Sequence, residues 1–209
     1  MVYQEVLSRG QEVVSIHISG KLSGTLNSAR LARKTLGDPP AIAIVDSQWA
    51  SMALGLIVLS AARTAAGGAS RDEVVAAARS AASRARLLLF CETLEYLQKG
   101  GRIGRAAAFL GGLLNVRPLI TVREGEVFPE SRVRTRTAAL DRLRSWATGL
   151  GPLESYALLH IDAATDAAGL RAELQAYAPA AESYLTAVGP VVATHVGPGA
   201  VGIAALVAS

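Results

Sequence analysis

Apolar and polar positions along this 209-residue chain switch repeatedly between a two-residue and a helical period, and the switches mark out its elements. The β-branched runs at residues 12–18 and 41–45 predict strands. After the first, Leu26, Ala29, Leu31, Ala32 and Leu36 form an apolar stripe with Arg30, Arg33 and Lys34 between them, which predicts a helix. Residues 49–66 predict a long buried helix stopped by Gly67-Gly68. Ser70, with Glu73 three positions on, caps a further helix over residues 71–84. Residues 87–91 read as a third strand. This alternation predicts a parallel sheet covered by helices, with ligands at the C-terminal strand ends, where residues 19–25 and Asp46-Ser47 fall.

The pattern changes near residue 92. Residues 93–103 predict a short helix closed by Gly100-Gly101, and 106–114 a small apolar helix that gains stability only by packing. Residues 118–122 and 126–133 flank a turn at Glu124-Gly125 and predict an antiparallel hairpin. Helices are expected at 135–149 and 165–177, and strands at 155–162, 190–195 and 201–207, the last two joined by Gly197-Pro-Gly199. The expected fold is α/β in two lobes. Residues 1–91 carry a parallel sheet flanked by helices, and residues 92–209 a second α/β lobe with a mixed or antiparallel sheet.

Composition narrows the function. Apolar residues make up 51%, which excludes a disordered chain. The net charge of +4 rests on arginine, with Lys21, Lys34 and Lys99 the only lysines, while aromatics are 5%. Nucleic-acid binding needs a concentrated basic face with stacking aromatics, so no nucleic-acid partner is expected. The single cysteine, Cys91, ends an apolar run; it reads as an inert core thiol and fits a reducing, cytoplasmic setting. No signal peptide opens the chain, and no transmembrane segment is expected. The uncharged stretch 47–62 includes Ser47, Gln48, Ser51 and Ser60, and the uncharged C-terminal stretch is broken at Pro190 and Gly197-Pro-Gly199.

The chemistry concentrates between Ser19 and Ala29, Ser-Gly-Lys-Leu-Ser-Gly-Thr-Leu-Asn-Ser-Ala, where a strand passes into a helix. One hydroxyl suffices for an N-cap, yet Ser19, Ser23, Thr25 and Ser28 all stand here, and Gly24 allows close approach to the backbone. Such a helix start suits a carboxylate or phosphate; an ordinary cap is the alternative. Gly197-Pro-Gly-Ala-Val-Gly202 has the spacing of a dinucleotide fingerprint but leads into a strand-like run. It reads better as a tight turn pointing His195, expected at the end of an apolar strand, where it donates to an anion or acts as a base; a structural histidine is equally compatible. His17 and His160 read as structural. A serine hydrolase built on Ser23, His195 and Asp46 lacks the Gly-x-Ser-x-Gly elbow. Three scattered histidines and one cysteine offer no metal-ligand spacing. Arg132, Arg134 and Arg136 alternate and are expected on one strand face, as a charged edge or a small basic patch.

Six stretches together resemble the DegV family of bacterial fatty-acid-binding proteins: Ser19-x-x-Leu-Ser-Gly-Thr25 with Asn27-Ser-Ala29, Val45-Asp-Ser47, residues 94–103, Leu113-Leu-Asn-x-x-Pro118 and Thr194-His-x-Gly-Pro-Gly199. The resemblance spans essentially the whole chain. It implies two α/β lobes enclosing a long-chain fatty acid, with no other cofactor and no catalysis by this chain. The implied partner is a fatty acid kinase that phosphorylates the presented carboxylate. By resemblance Ser23, Gly24, Thr25, His195 and Ser19 hold the head group, and Arg102 faces the phosphoryl group or the kinase. Family members usually begin with a further strand and a hydroxyl-bearing loop. Relative to them this chain is expected to lack the first strand of its parallel sheet, leaving an open edge. Two alternatives stand beside this reading: an acyl hydrolase or transferase using Ser23 and His195, and a remnant without a working pocket.

Overall fold

The structure, a computed structural model, describes residues 2–110 and 116–208. In chain order the elements are α1 (Val2–Ser8), β1 (Val13–His17), α2 (Thr25–Thr35), β2 (Ile42–Asp46), α3 (Ser51–Ala66), α4 (Arg71–Arg84), β3 (Ala85–Phe90) and α5 (Glu95–Lys99). A 3₁₀ turn (Gly104–Phe109), β4 (Arg117–Arg123), β5 (Glu126–Val133), α6 (Arg136–Thr148), β6 (Leu153–His160), α7 (Ala164–Tyr177), β7 (Glu182–Ala187), α8 (Pro190–Val196) and β8 (Val201–Val207) follow.

Two sheets organise the molecule. β1 and β2 form a parallel pair, and the larger sheet runs β5-β4-β3-β8-β6-β7. Within the larger sheet β3 is antiparallel to β4 and β8, β6 is antiparallel to β8, and β6–β7 is a parallel pair joined through α7. The two-residue period decides which face each strand offers. Leu87, Ala157, Leu159, Ala204 and Leu206 meet α3 and α4, which also pack on Val45 of β2. Leu88, Phe90, Leu158, Ile203 and Ala205 meet α6 and α7. The α3–α4 layer therefore lies between the small sheet and the large one. Ser70 and Glu73 form the expected capping box at the start of α4.

Several expectations change. The run at 87–91 is a strand, but it pairs in the large sheet rather than beside β1 and β2, because its residues are apolar on both faces and helices cover both. Residues 190–195 are not a strand. Pro190 stands at the first turn of helix α8, where its missing N–H costs nothing, and Gly197 closes the helix at φ +88°. The β-branched residues read as strand formers are in a helix held by tertiary packing. The start of α2 carries no side-chain cap: Gly24 occupies the N-cap position. Arg132 lies in β5 and Arg136 in α6, so the three arginines share no strand face. Arg136 instead pairs with Glu92 at 2.7 Å and with Asp166 at 2.5 Å. Of the segment 106–114, residues through Phe109 join the 3₁₀ turn, and 111–114 lie outside the described residues. Neither α1 nor β7 was expected; β7 is a polar edge strand without a buried face.

Candidate ligand-binding site

At the C-terminal end of β1 the chain turns through Ser19–Gly24 into α2, and this turn is fixed by long-range contacts. Ser19 is buried and its hydroxyl donates to the Gly125 carbonyl at the β4–β5 hairpin tip (2.7 Å) while accepting from the Lys21 amide (3.2 Å). Lys21 pairs with Glu126 of the same hairpin at 3.0 Å. Arg102, just past the Gly100-Gly101 stop of α5, donates from Nε to the Leu22 carbonyl (3.3 Å) and from Nη1 to the Gly100 carbonyl (2.8 Å). No carboxylate pairs with it among the described residues. Gly100 in turn lies under the His195 ring: a Cβ built there would stand 2.1 Å from Nδ1. Leu22, Arg102, Gly100 and His195 are thereby linked contact by contact.

Behind this rim lies a cavity of about 200 Å³. Its walls come from the turn after β1, the start of α3, β3, α5, the hairpin and α8, and they are apolar except for Ser23, Ser51, Arg102, Thr121 and His195. The Thr121 hydroxyl is already committed, donating to the Leu87 carbonyl at 2.6 Å. Helix α8 matters here. In helical geometry Val191, Val192, His195 and Val196 fall on one face and all line the cavity, whereas a strand would alternate them. His195 Nδ1 is buried without a hydrogen-bond partner among the described residues.

The expected site residues thus separate. Ser23, His195 and Arg102 line one cavity. Thr25 lines a neighbouring, more open groove of about 570 Å³ between α1, β1 and α2, which also holds Ser15, His17 and Ser28. A 2.7 Å hydrogen bond between the Ser23 and Thr25 hydroxyls links the two spaces. Gly24 is exposed, with nothing within 4 Å of its would-be Cβ. Ser19 faces the hairpin. No hydrogen bond joins Ser23 to His195 among the described residues. In the groove, Tyr3 donates to the Ser15 hydroxyl, which also shares a hydrogen bond with His17 Nε2, each at 2.7 Å. Burial pushes the His17 pKa down, partly offset by the charge of Asp46. Sequence reasoning missed the apolar lining of the cavity, which six separate segments contribute; only the helical reading of 190–196 would have grouped part of it.

The remaining chemistry is spare. Cys91 is buried, and that burial raises its pKa to about 12. Among the described residues no cluster of three His, Cys, Asp or Glu side chains is placed to hold a metal, and no helix is long and apolar enough to cross a membrane.

The molecule is thus a two-sheet α/β protein with an apolar cavity whose rim carries a serine, a histidine and an arginine. The chain belongs to the DegV family, whose model, described as an uncharacterised protein family, matches residues 1–208. A DegV domain-containing protein from Deinococcus radiodurans is 38% identical over 206 residues, covering 97% of this chain and 72% of the relative. Among solved structures, a DegV family protein from Thermus thermophilus, described for its fatty acid binding, superposes with a TM-score of 0.92 at 35% identity, covering 99% of this chain and 75% of that one. DegV from Bacillus subtilis, described as a fatty acid binding protein, has a TM-score of 0.85 at 30% identity over 98% of this chain and 74% of its own.

Proposed function

We propose that this chain binds a long-chain fatty acid, with the carboxylate at Ser23 and His195 and the acyl chain in the cavity behind them. The observation that carries the reading is the cavity itself: an apolar volume whose rim bears a serine, an arginine and a histidine, the arginine without a carboxylate partner and the histidine with an unused ring nitrogen among the described residues. Relatives described as fatty-acid-binding support it. Burial contributes about 0.8 kcal/mol per methylene, so a sixteen-carbon chain gains on the order of 10 kcal/mol before ordering costs, enough for the ligand to survive purification. The cavity is smaller than the roughly 300–1,000 Å³ of typical ligand sites, so such a chain must push side chains aside or leave part of itself at the mouth, where Val191 is 76% exposed. Mass spectrometry of an organic extract is the test. A stoichiometric fatty acid supports the reading; an empty protein that also fails to bind added palmitate refutes it.

The finer role is presentation of the bound carboxylate to a fatty acid kinase, without catalysis by this chain. Arg102 supports it, since an always-charged guanidinium beside Ser23 suits phosphate oxygens bidentately. In a reconstituted kinase assay at saturating fatty acid, Arg102→Ala is expected to lower acyl-phosphate formation about a hundred-fold. Normal turnover of a variant that binds poorly would move Arg102 from the partner to the pocket.

A further inference from the structure

The segment from the end of β3 through α5 lies against the end of α8 and the turn after it, and the two touch at three places in opposite chain order. A Cβ built on Gly199 would stand 2.9 Å from Glu92 Cγ, one on Gly197 2.3 Å from Tyr96 Cδ2, and one on Gly100 2.1 Å from His195 Nδ1. Each contact is a side chain seated on the bare backbone of a glycine, and a larger residue at any of the three forces a shift. The turn is fixed on its other side as well: Arg136 Nη1 donates to the Gly199 carbonyl at 2.8 Å and to Glu92 Oε1 at 2.7 Å.

His195 depends on this framing. A functional imidazole is ordinarily oriented by the hydrogen bond that its second nitrogen makes, and here Nδ1 makes none among the described residues. Packing therefore directs the ring. It stands in the last turn of α8, a seven-residue helix too short to hold its shape without tertiary contacts. The notch at Gly100 receives the ring but does not fix the backbone that carries it. That falls to Tyr96, whose ring covers Gly197, two positions beyond His195 and the residue that closes the helix at φ +88°. Tyr96 itself lies outside the cavity wall and is 40% exposed.

Resting on the fatty-acid reading above, we infer that Tyr96 is a positioning residue: by packing on Gly197 it sets where the end of α8 stands, and so aims His195 at the ligand carboxylate. Removing the ring empties the space over Gly197 and lets the turn settle into it, which swings His195 within its notch. The contact is made by the ring carbons Cδ2 and Cε2, so the hydroxyl takes no part and phenylalanine serves as well.

The test measures palmitate dissociation constants of delipidated wild type, Tyr96→Ala, Tyr96→Phe, His195→Ala and the Tyr96→Ala/His195→Ala pair, with the NMR signal of the His195 Cε1–H alongside. With three histidines in the chain, that signal is readily assigned. Tyr96→Ala is expected to weaken binding about tenfold, the lower end of the loss for a charge-assisted hydrogen bond, and to shift the His195 signal while those of His17 and His160 stay in place. Tyr96→Phe is expected to restore both. Should alanine unfold the chain, Tyr96→Leu, which keeps apolar volume without the flat ring, carries the same expectation. In the His195→Ala background, Tyr96→Ala is expected to change affinity by less than about twofold, whereas a general loosening of the cavity would add to the loss. If His195→Ala weakens binding, then wild-type affinity in folded Tyr96→Ala, an unmoved His195 signal or full additivity would each overturn the inference and leave the fatty-acid reading intact. Wild-type affinity in His195→Ala, or no palmitate binding by the wild type, would remove the head-group reading and this inference with it.

Discussion

Gly100→Ala tests whether His195 holds the ligand, because it moves the ring without touching it. Gly100 has φ −77° and ψ −4°, which alanine adopts freely, so the backbone needs no glycine here. Taken alone, such a change stabilises a fold by about 0.4–1 kcal/mol through the unfolded chain. Space is the obstacle: the new Cβ would lie 2.1 Å from His195 Nδ1 and 2.7 Å from Cε1, and real contacts essentially never fall under 3.0 Å. The ring must retreat by about 0.9 Å, the difference between 3.0 and 2.1. A charge-assisted hydrogen bond to a carboxylate contributes about 1.5–3 kcal/mol, so losing its geometry weakens fatty-acid binding roughly ten- to a hundred-fold. Calorimetric titration with palmitate, alongside thermal unfolding, reads both quantities. A double-mutant cycle sharpens the result. In a His195→Ala background there is no ring to displace, so Gly100→Ala is expected to leave affinity where His195→Ala put it. Wild-type affinity in a folded Gly100→Ala protein, or full additivity in the cycle, would refute the reasoning and return His195 to a structural role.

Ser19→Ala strands the buried Gly125 carbonyl and the Lys21 amide and is expected to cost about 1–3 kcal/mol in urea unfolding; a fall in fatty-acid affinity at unchanged stability would put Ser19 on the ligand instead. Cys91, with its pKa pushed up to about 12 by burial, is expected to resist iodoacetamide in the native protein at pH 8 and to react once the chain is unfolded; native labelling at an ordinary rate would contradict its buried placement. His17 has a folded pKa below its ordinary 6.5, so the unfolded chain takes up the proton first. Stability is full above pH 6.5, falls as the pH drops towards the lowered folded value, and then levels; a His17→Asn protein with the same slope in that window would assign the effect elsewhere.

The elements whose pattern is local were legible in the sequence. The capping box at Ser70 and Glu73 places the start of α4 because both partners sit within one turn. The β4–β5 hairpin follows from two apolar runs around Glu124-Gly125. Strand affiliation was not legible. A run of apolar residues such as Leu87–Phe90 says that two faces are covered, not by what, and its partner β8 is the last strand of the chain, more than 100 positions on. The segment at Pro190 shows the limit of propensity: Val191, Val192, Thr194 and Val196 favour strands, yet Pro190 at the first turn and the stop at Gly197 make seven residues a helix.

Of the candidate site the sequence offered residue types but not contacts, and Gly100-Gly101 shows why. As a pair they read as a helix stop, which assigns both glycines the same conformational task. Only Gly101 performs it, at φ +67°; Gly100 sits in ordinary helical space and is small because the His195 ring, 95 positions later in the chain (195 less 100), lies against it. The other ties of the rim are of the same kind. Arg102 reaches the Leu22 carbonyl across 80 positions, and Ser19 reaches the Gly125 carbonyl across 106. A residue type can advertise what it is able to bond, but a contact at such separation exists only once the sheets have been laid side by side. Ser19 is the example: its hydroxyl suits an anion, and nothing in its own neighbourhood announces that it donates to the carbonyl of the hairpin tip. The same logic separates Ser23 from Ser19. Among the described residues the Ser23 hydroxyl makes no long-range hydrogen bond; it pairs with the Thr25 hydroxyl and accepts from the Thr25 amide, two positions on.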